Sequence, residues 1–337
     1  MMGQRRLMIG AAASTSVLGL AMSSGLLMFA SRLVEEFSHP HVIPDIEEFN
    51  LNVPLTEPEP HRSLQRPLTF QTRDGKLICG DFWAQPQPAP TIILCHGYRA
   101  SRVQLRPGAA VQYKLGYNVL FFDFRGHGDS DSVTTSGGNA EVRDLEAAIA
   151  VACMQPETLP NKIIIHGFSM GAAIALLTPP HPEVAAIIAD SPFARLDDIL
   201  RRLVHYRLTT CLSHVPLVQK IDPLWPAIAW ATVATSVLVF RLRFGHTFVA
   251  RPDTAFKHWV AEAKKNLHFR HTPILLIHAS GDQLIPVAHA HQIIAQAHAH
   301  HVPLETYFVD YRIHCGAYIY DPVRYTTVIQ DFLIRHL

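Results

Sequence analysis

The chain is short of three features that would each have indicated a distinct chemistry. Its charge is nearly balanced, with 29 Lys and Arg against 28 Asp and Glu. It therefore has no single-sign field to hold a nucleic-acid backbone, and no nucleic-acid partner is expected. Only five cysteines occur in 337 residues, Cys79, Cys95, Cys153, Cys211 and Cys315, and none is spaced as C-x-x-C. That scatter excludes a disulfide-stapled scaffold and argues against structural zinc; most of these cysteines read as small hydrophobes. Internal repeats and low-complexity tracts are missing as well, which excludes a solenoid or an array. Histidine, by contrast, is abundant at 21 residues. The cluster His289, His291, His298, His300 and His301 contains no carboxylate or thiol, so it reads as the wet face and end of a helix, with no metal expected.

Leu7 to Ala30 is a run of 24 residues without a charge, longer than the roughly 20 that cross a bilayer's hydrocarbon core. Arg5 and Arg6 precede it, while Arg32 is followed closely by Glu35 and Glu36. This bias predicts a single-pass anchor with a cytoplasmic N-terminus and the folded part outside. A cleaved export signal is the alternative, because Gly19, Ala21 and Ser23 supply the small residues a signal peptidase needs. Residues 1–38 are thus expected to be the anchor. Residues 39–67 carry six prolines and read as an extended linker, which leaves 68–337 as the folded domain.

From Leu68 onward, short apolar runs alternate with helix-length segments. The strand candidates are Leu77 to Trp83, Thr91 to Cys95, Asn118 to Phe122, Lys162 to His166, Val184 to Ala189, Pro273 to His278 and Leu304 to Val309. Several are continuously apolar, as in Ile163-Ile164-Ile165, which predicts a mostly parallel sheet covered by helices on both faces. The rhythm breaks between Pro192 and Arg270, a gap too long for a loop, so 192–270 is expected to be a helical lid insertion. Within it, Leu224 to Phe240 is charge-free and contains Trp225 and Trp230. It is expected to pack as a lid helix, the alternatives being contact with lipid or an apolar substrate, or a second crossing of the membrane.

Gly167-Phe168-Ser169-Met170-Gly171 follows one of these strand candidates and precedes the helix-forming Ala172 to Leu177. A serine on so tight a strand-to-helix turn projects its hydroxyl from the carboxyl edge of the sheet. The N-terminus of the following helix stabilises negative charge there, and the Met170 N–H is a natural oxyanion donor. A hydroxyl is a poor nucleophile without a base, so a histidine must accept its proton and a carboxylate must hold that histidine. Asp282, directly after the strand Pro273 to His278, and His314, shortly after Leu304 to Val309, are the best placed. Asp190, in Ala189-Asp190-Ser191-Pro192, is the runner-up acid. The second oxyanion donor is expected from His96-Gly97-Tyr98-Arg99, with the Tyr98 N–H preferred. Asp123-Phe124-Arg125-Gly126-His127-Gly128-Asp129-Ser130 reads as a turn that buttresses the serine loop.

On these pieces the chain resembles the α/β-hydrolase superfamily, especially its membrane-anchored, serine-aminopeptidase-like and prolyl-oligopeptidase-like branches. The resemblance covers about Leu68 to Leu337 and implies an eight-stranded, mostly parallel sheet with the triad in the chain order Ser169, Asp282, His314. It also implies acyl transfer to water through an acyl-enzyme on Ser169, with neither metal nor cofactor. One departure is Cys315, where many relatives place glycine. The resemblance does not fix the acyl group. An ester, thioester or small amide with an apolar acyl chain is the leading expectation for the small-molecule partner. A serine peptidase, or a non-catalytic scaffold whose lid binds lipid or a membrane partner, are the alternatives.

Overall fold

The computed structural model describes residues 23–43, 60–212, 222–263 and 272–337. Residues 1–22 of the expected anchor and 44–59 of the expected linker lie outside them. In chain order the elements are α1 (residues 23–38), β1 (Gln65–Gln71), β2 (Leu77–Trp83), β3 (Ala89–Cys95), α2 (Arg106–Lys114), β4 (Asn118–Phe122), α3 (Val142–Cys153), β5 (Thr158–Phe168), α4 (Met170–Leu177), β6 (Val184–Asp190), α5 (Leu196–Leu212), α6 (Trp225–Phe244), α7 (Ala255–Ala263), β7 (Ile274–Ala279), α8 (Ala288–Ala299), β8 (Leu304–Val309), α9 (Ala317–Tyr320) and α10 (Pro322–His336).

They form two compact units. The larger is Ser38–Leu196 with Val249–Leu337. Its eight strands lie in the order β1-β2-β4-β3-β5-β6-β7-β8. From β4 across to β8 every pairing is parallel, whereas β2 runs antiparallel to both β1 and β4, so the sheet is mixed. All five residues of β4 and all six of β7 are buried, as strands covered on both faces must be. α4 is apolar all round, and Met170 to Leu176 are buried, which is how such a helix avoids exposing a greasy face.

The folded part begins earlier than the expected Leu68, because β1 starts at Gln65. Phe70 is its only buried residue, so the strand carries almost no hydrophobic signal. Pro67 sits within it, opposite Asp81, a position open to proline because β1 is an edge strand. The expected insertion at 192–270 is also divided. Val249 onward returns to the larger unit, where the Leu196 N–H donates to Ala250 O and the Asp253 N–H to Ala194 O, both at 3.1 Å. Phe256 and Trp259 of α7 are buried there.

The smaller unit combines α1, up to Phe37, with Asp197–Phe248. In α6 the buried residues Trp225, Ala229, Thr232, Val233, Ser236 and Phe240 recur every three or four positions and define one helix face. Phe240 meets Phe248 with ring centroids 4.9 Å apart, and Phe248 meets Phe37 at 5.2 Å. Among the described residues α6 is the one helix long and apolar enough to cross a membrane, and 28% of its most apolar window is buried.

Candidate active site

The strand order changes direction at β3, which lies between β4 and β5. A change of direction opens a crevice at the carboxyl ends of the two strands beside it. There, in register, Cys95 of β3 lies opposite Gly167 of β5. Ser169 follows β5 at once, in the left-handed conformation with φ +52°. Such a backbone is costly for a non-glycine residue and persists where its surroundings impose it. Its N–H donates to Asp190 O at 2.8 Å, and its own carbonyl accepts the first bond of α4, from Ala173 N, at 3.0 Å. A Cβ on Gly171 would lie 2.7 Å from His96 O and closer still to Cys95 O, and one on Gly167 would lie 2.5 Å from Gly171 O. The two glycines let α4 approach the end of β3 and then fold back over β5.

Asp282 and His314 follow β7 and β8, and they meet: His314 Nδ1 lies 2.6 Å from Asp282 Oδ2. Asp282 Oδ1 accepts the N–H groups of Leu284 and Ile285, both at 2.9 Å. A carboxylate has no proton to give, so Nδ1 carries the hydrogen and the lone pair of the imidazole is at Nε2. Both side chains are buried. The residue after His314 connects this pair to the serine. Cys315 also takes a positive φ, +53°, the conformation that glycine adopts without strain. Its thiol lies on Asp190 O at 4.0 Å, the same carbonyl that accepts the Ser169 N–H. Burial pushes that thiol's pKa well up, so Cys315 is held as an uncharged packing group.

Asp190, the runner-up acid, does not hold the histidine. Its carboxylate is fully buried, with Oδ1 accepting from Ser191 Oγ and Oδ2 from the Tyr325 hydroxyl, both at 2.9 Å. His166 Nε2 lies 3.1 Å from the same hydroxyl. Burial raises the Asp190 pKa to about 6 and lowers that of His166 to about 3. Tyr325 and His166 carry no motif, and no local pattern marks them as support behind the serine turn.

Met170 opens α4 and is buried, and Tyr98 is half-buried in the loop after β3. The Tyr98 ring stands edge-on to His127 at 6.0 Å. The Asp123 to Ser130 turn buttresses this loop, not the serine loop as expected. Asp123 accepts the Arg102 N–H at 2.6 Å and pairs with its guanidinium. His127 Nε2 accepts the Arg99 N–H at 3.3 Å, and His96 Nε2 accepts the Phe124 N–H at 3.0 Å. The reason is strand order, since β4 neighbours β3 and β5 lies on the far side of β3. Burial keeps His96 and His127 neutral, with pKa values lowered to about 4 and about 3.

The histidines of α8 are used locally. His289 Nδ1 accepts the Ala194 N–H at 3.3 Å, and the His291 ring rests on Phe308. Among the described residues no group of three or more His, Cys, Asp or Glu is placed to hold a metal ion.

Comparison with known proteins bears on the fold and the family. An uncharacterized Bacillus subtilis protein, YqkD, is 30% identical over 255 residues, covering 74% of this chain and 72% of that protein. The quorum-quenching protein AidA of Acinetobacter baumannii is 29% identical over 136 residues, 38% of this chain and 45% of that protein. The Pyrococcus furiosus esterase Pf2001 shares the fold, with a TM-score of 0.62 at 22% identity, over 89% of this chain and 99% of that structure. Residues 86–309 match the family described as serine aminopeptidase, S33, and that span is most of the domain built around the Ser169 turn. The chain belongs to this family of α/β hydrolases.

Proposed function

We propose that this hydrolase cleaves a carboxylic ester, thioester or small amide through an acyl-enzyme on Ser169. The observation that carries the reading is the 2.6 Å contact of His314 Nδ1 with Asp282, on a loop whose next residue contacts the same Asp190 carbonyl that accepts the Ser169 N–H. Ser169 Oγ attacks the substrate carbonyl carbon as His314 Nε2 takes its proton. That proton then passes to the leaving alcohol, thiol or amine as the bond to it breaks. Water repeats the sequence on the acyl-enzyme, giving its proton to Nε2 and releasing the acid and the free serine. The N–H groups of Met170 and Tyr98 receive the developing oxyanion, a contribution for which one lost donor typically costs about 10² to 10³ in rate. The substrate proposed has an apolar acyl group. Leu7 to Ala30 serves as the anchor, with the hydrolase unit on the outer side.

Fluorophosphonate labelling tests the nucleophile. The native protein is expected to label and to hydrolyse p-nitrophenyl esters, and Ser169→Ala to do neither. Labelling that persists in Ser169→Ala, or a native protein that turns over no activated ester or amide, would overturn the reading. The family's description favours one other substrate class, a peptide with a free amino terminus. Aminoacyl p-nitroanilides run beside acyl p-nitrophenyl esters separate the two by kcat/KM.

A further inference from the structure

In the smaller unit α1 and α6 lie side by side and run in the same direction. Ser236 Oγ donates to Ala30 O at 3.4 Å, and further along both helices Arg243 pairs with Glu35. Position along one helix therefore rises with position along the other. The charges gather at the same end: Arg32, Glu35 and Glu36 on α1, Arg241 and Arg243 on α6, and Arg207 of α5 paired with Glu36. At the opposite end α6 carries no charge from Trp225 to Phe240, about 24 Å of helix at 1.5 Å per residue. On α1 the charge-free stretch is the last part of the run Leu7 to Ala30.

The face that α6 turns away from α1 is apolar and exposed. Trp230 is 60% exposed, and Leu238, Leu242, and Leu27 and Met28 of α1 are exposed too. The face toward α1 has small residues where the two helices meet, Ser236 against Ala30. Its hydroxyls are satisfied inside the helix, Thr232 Oγ1 on Ile228 O and Ser236 Oγ on Thr232 O, both at 2.8 Å. Small contact residues, internally bonded hydroxyls and an apolar outer face are the features of helix pairs in lipid, where no water is present to bond a polar group.

We propose that the outer strip Trp230, Leu238, Leu27 and Met28 of this helix pair lies in the lipid bilayer. The occupant follows from the chain itself. The run that ends on α1 is long enough to cross the hydrocarbon core, and it continues from the end of the pair opposite the charged one, where the nearest charge is Asp222 just before α6. A bilayer holding that run meets the apolar end of α6, while Arg207, Arg241 and Arg243 with their acidic partners stay at the aqueous boundary. Trp230, eleven residues from Arg241 or about 16 Å of helix, then lies within the hydrocarbon core. This inference does not depend on the serine chemistry.

The chain has four tryptophans, of which Trp83, Trp225 and Trp259 are buried, so Trp230 reports the strip almost alone. The full-length protein is reconstituted into phosphatidylcholine vesicles with and without acyl chains brominated in their lower half. Bromolipid is expected to quench the emission, and Trp230→Phe, a change that keeps an aromatic residue on the exposed face, to abolish that quenching while the protein still floats with the vesicles. Aqueous iodide is expected to leave Trp230 unquenched in vesicles. Bromolipid quenching that is absent from the native protein, or that survives in Trp230→Phe, overturns the proposal. So does a Trp230 that iodide still reaches, which would leave the strip in water. Protection from iodide without bromolipid quenching would assign the strip to a second copy of the chain, and that outcome overturns it as well.

Discussion

The backbone N–H of Ser169 is bonded to the carbonyl oxygen of Asp190 at 2.8 Å, so the strained residue at the end of β5 is tied to the end of the neighbouring strand. Two further non-glycine residues with positive φ, Ser191 and Cys315 at +53° each, are bonded to the same aspartate. Three unfavourable backbone conformations are thus held around one buried aspartate, two by its backbone carbonyl and one by its carboxylate. Strain of this kind costs of order 1–3 kcal/mol per residue and lasts only where the surroundings over-determine it. Tyr325 completes the support by donating to Asp190 Oδ2 at 2.9 Å.

Tyr325→Phe removes that hydroxyl and keeps the ring. Asp190 loses one of its donors and His166 Nε2 loses its partner, while His166 Nδ1 already has none. A buried polar group left unsatisfied costs about 1–3 kcal/mol, and a loss of that size is expected in a urea titration. Turnover of an activated ester is expected to fall far less than in Ser169→Ala, because Tyr325 touches no reacting atom. An unchanged urea midpoint would show that the network contributes nothing.

Acid is expected to destabilise the larger unit steeply. Burial lowers the pKa values of His96, His127 and His166 to about 4, 3 and 3, against about 6.5 in the unfolded chain. Their contribution is fully present above pH 6.5 and is lost as the pH falls, since only the unfolded chain then takes up the three protons. Asp190 acts in the opposite sense. Burial raises its pKa to about 6, so between about pH 6 and 4 the folded state holds one proton that the unfolded state has released. Asp144, also raised by burial, to about 7, acts in the same sense as Asp190, and the three histidines outweigh the two. Asp190→Asn removes one opposing proton and steepens the loss by roughly 1.4 kcal/mol per pH unit. Urea titrations between pH 6 and 4.5 measure both slopes, and equal slopes for the two proteins would contradict the assignment to Asp190.

Residues on loops after strongly apolar strands were legible in the sequence. Ser169 and Asp282 each follow a run that could only be a buried strand, and His314 follows the edge strand β8, where only Val309 is buried; topology then brings those strand ends to one edge. β1 was missed because one buried phenylalanine is too little periodicity to detect. The support behind the serine was invisible for another reason: Tyr325 reaches Asp190 across 135 residues and His166 across 159. No local pattern announces a pairing that distant. The role of the Asp123 to Ser130 turn was misplaced because the turn's neighbours depend on strand order, and strand order was not read from the sequence.

Gly171→Ala is expected to damage the site more than the fold. The new methyl group would meet two carbonyl oxygens at the end of β3, Cys95 O and His96 O, and neither can retreat far while β3 stays in register with β5. Overpacking of this sort typically costs about 1–3 kcal/mol. The displacement falls on the first turn of α4, next to the Met170 N–H. The expected result is a folded protein with a lowered melting temperature and a disproportionate loss of kcat on an activated ester. Full activity in a protein of lowered stability would separate α4 from oxyanion binding.

The two buried aspartates of the site are expected to respond differently to the same substitution. Asp282 accepts Nδ1–H of His314 and so keeps the lone pair at Nε2. In Asp282→Asn the amide can present its N–H₂ to the ring, which favours the tautomer with hydrogen on Nε2 and leaves no base for Ser169. In serine proteases the corresponding change lowers kcat by about 10⁴, and a loss of that order is expected here with little change in KM. The fold is expected to persist, because the asparagine carbonyl can still accept the N–H groups of Leu284 and Ile285. Asp190→Asn leaves the His314 tautomer untouched, so its effect on kcat is expected to be much smaller. Measuring both variants on one p-nitrophenyl ester discriminates the two acids. A larger loss in Asp190→Asn than in Asp282→Asn would move the acid to β6 and overturn the triad proposed above.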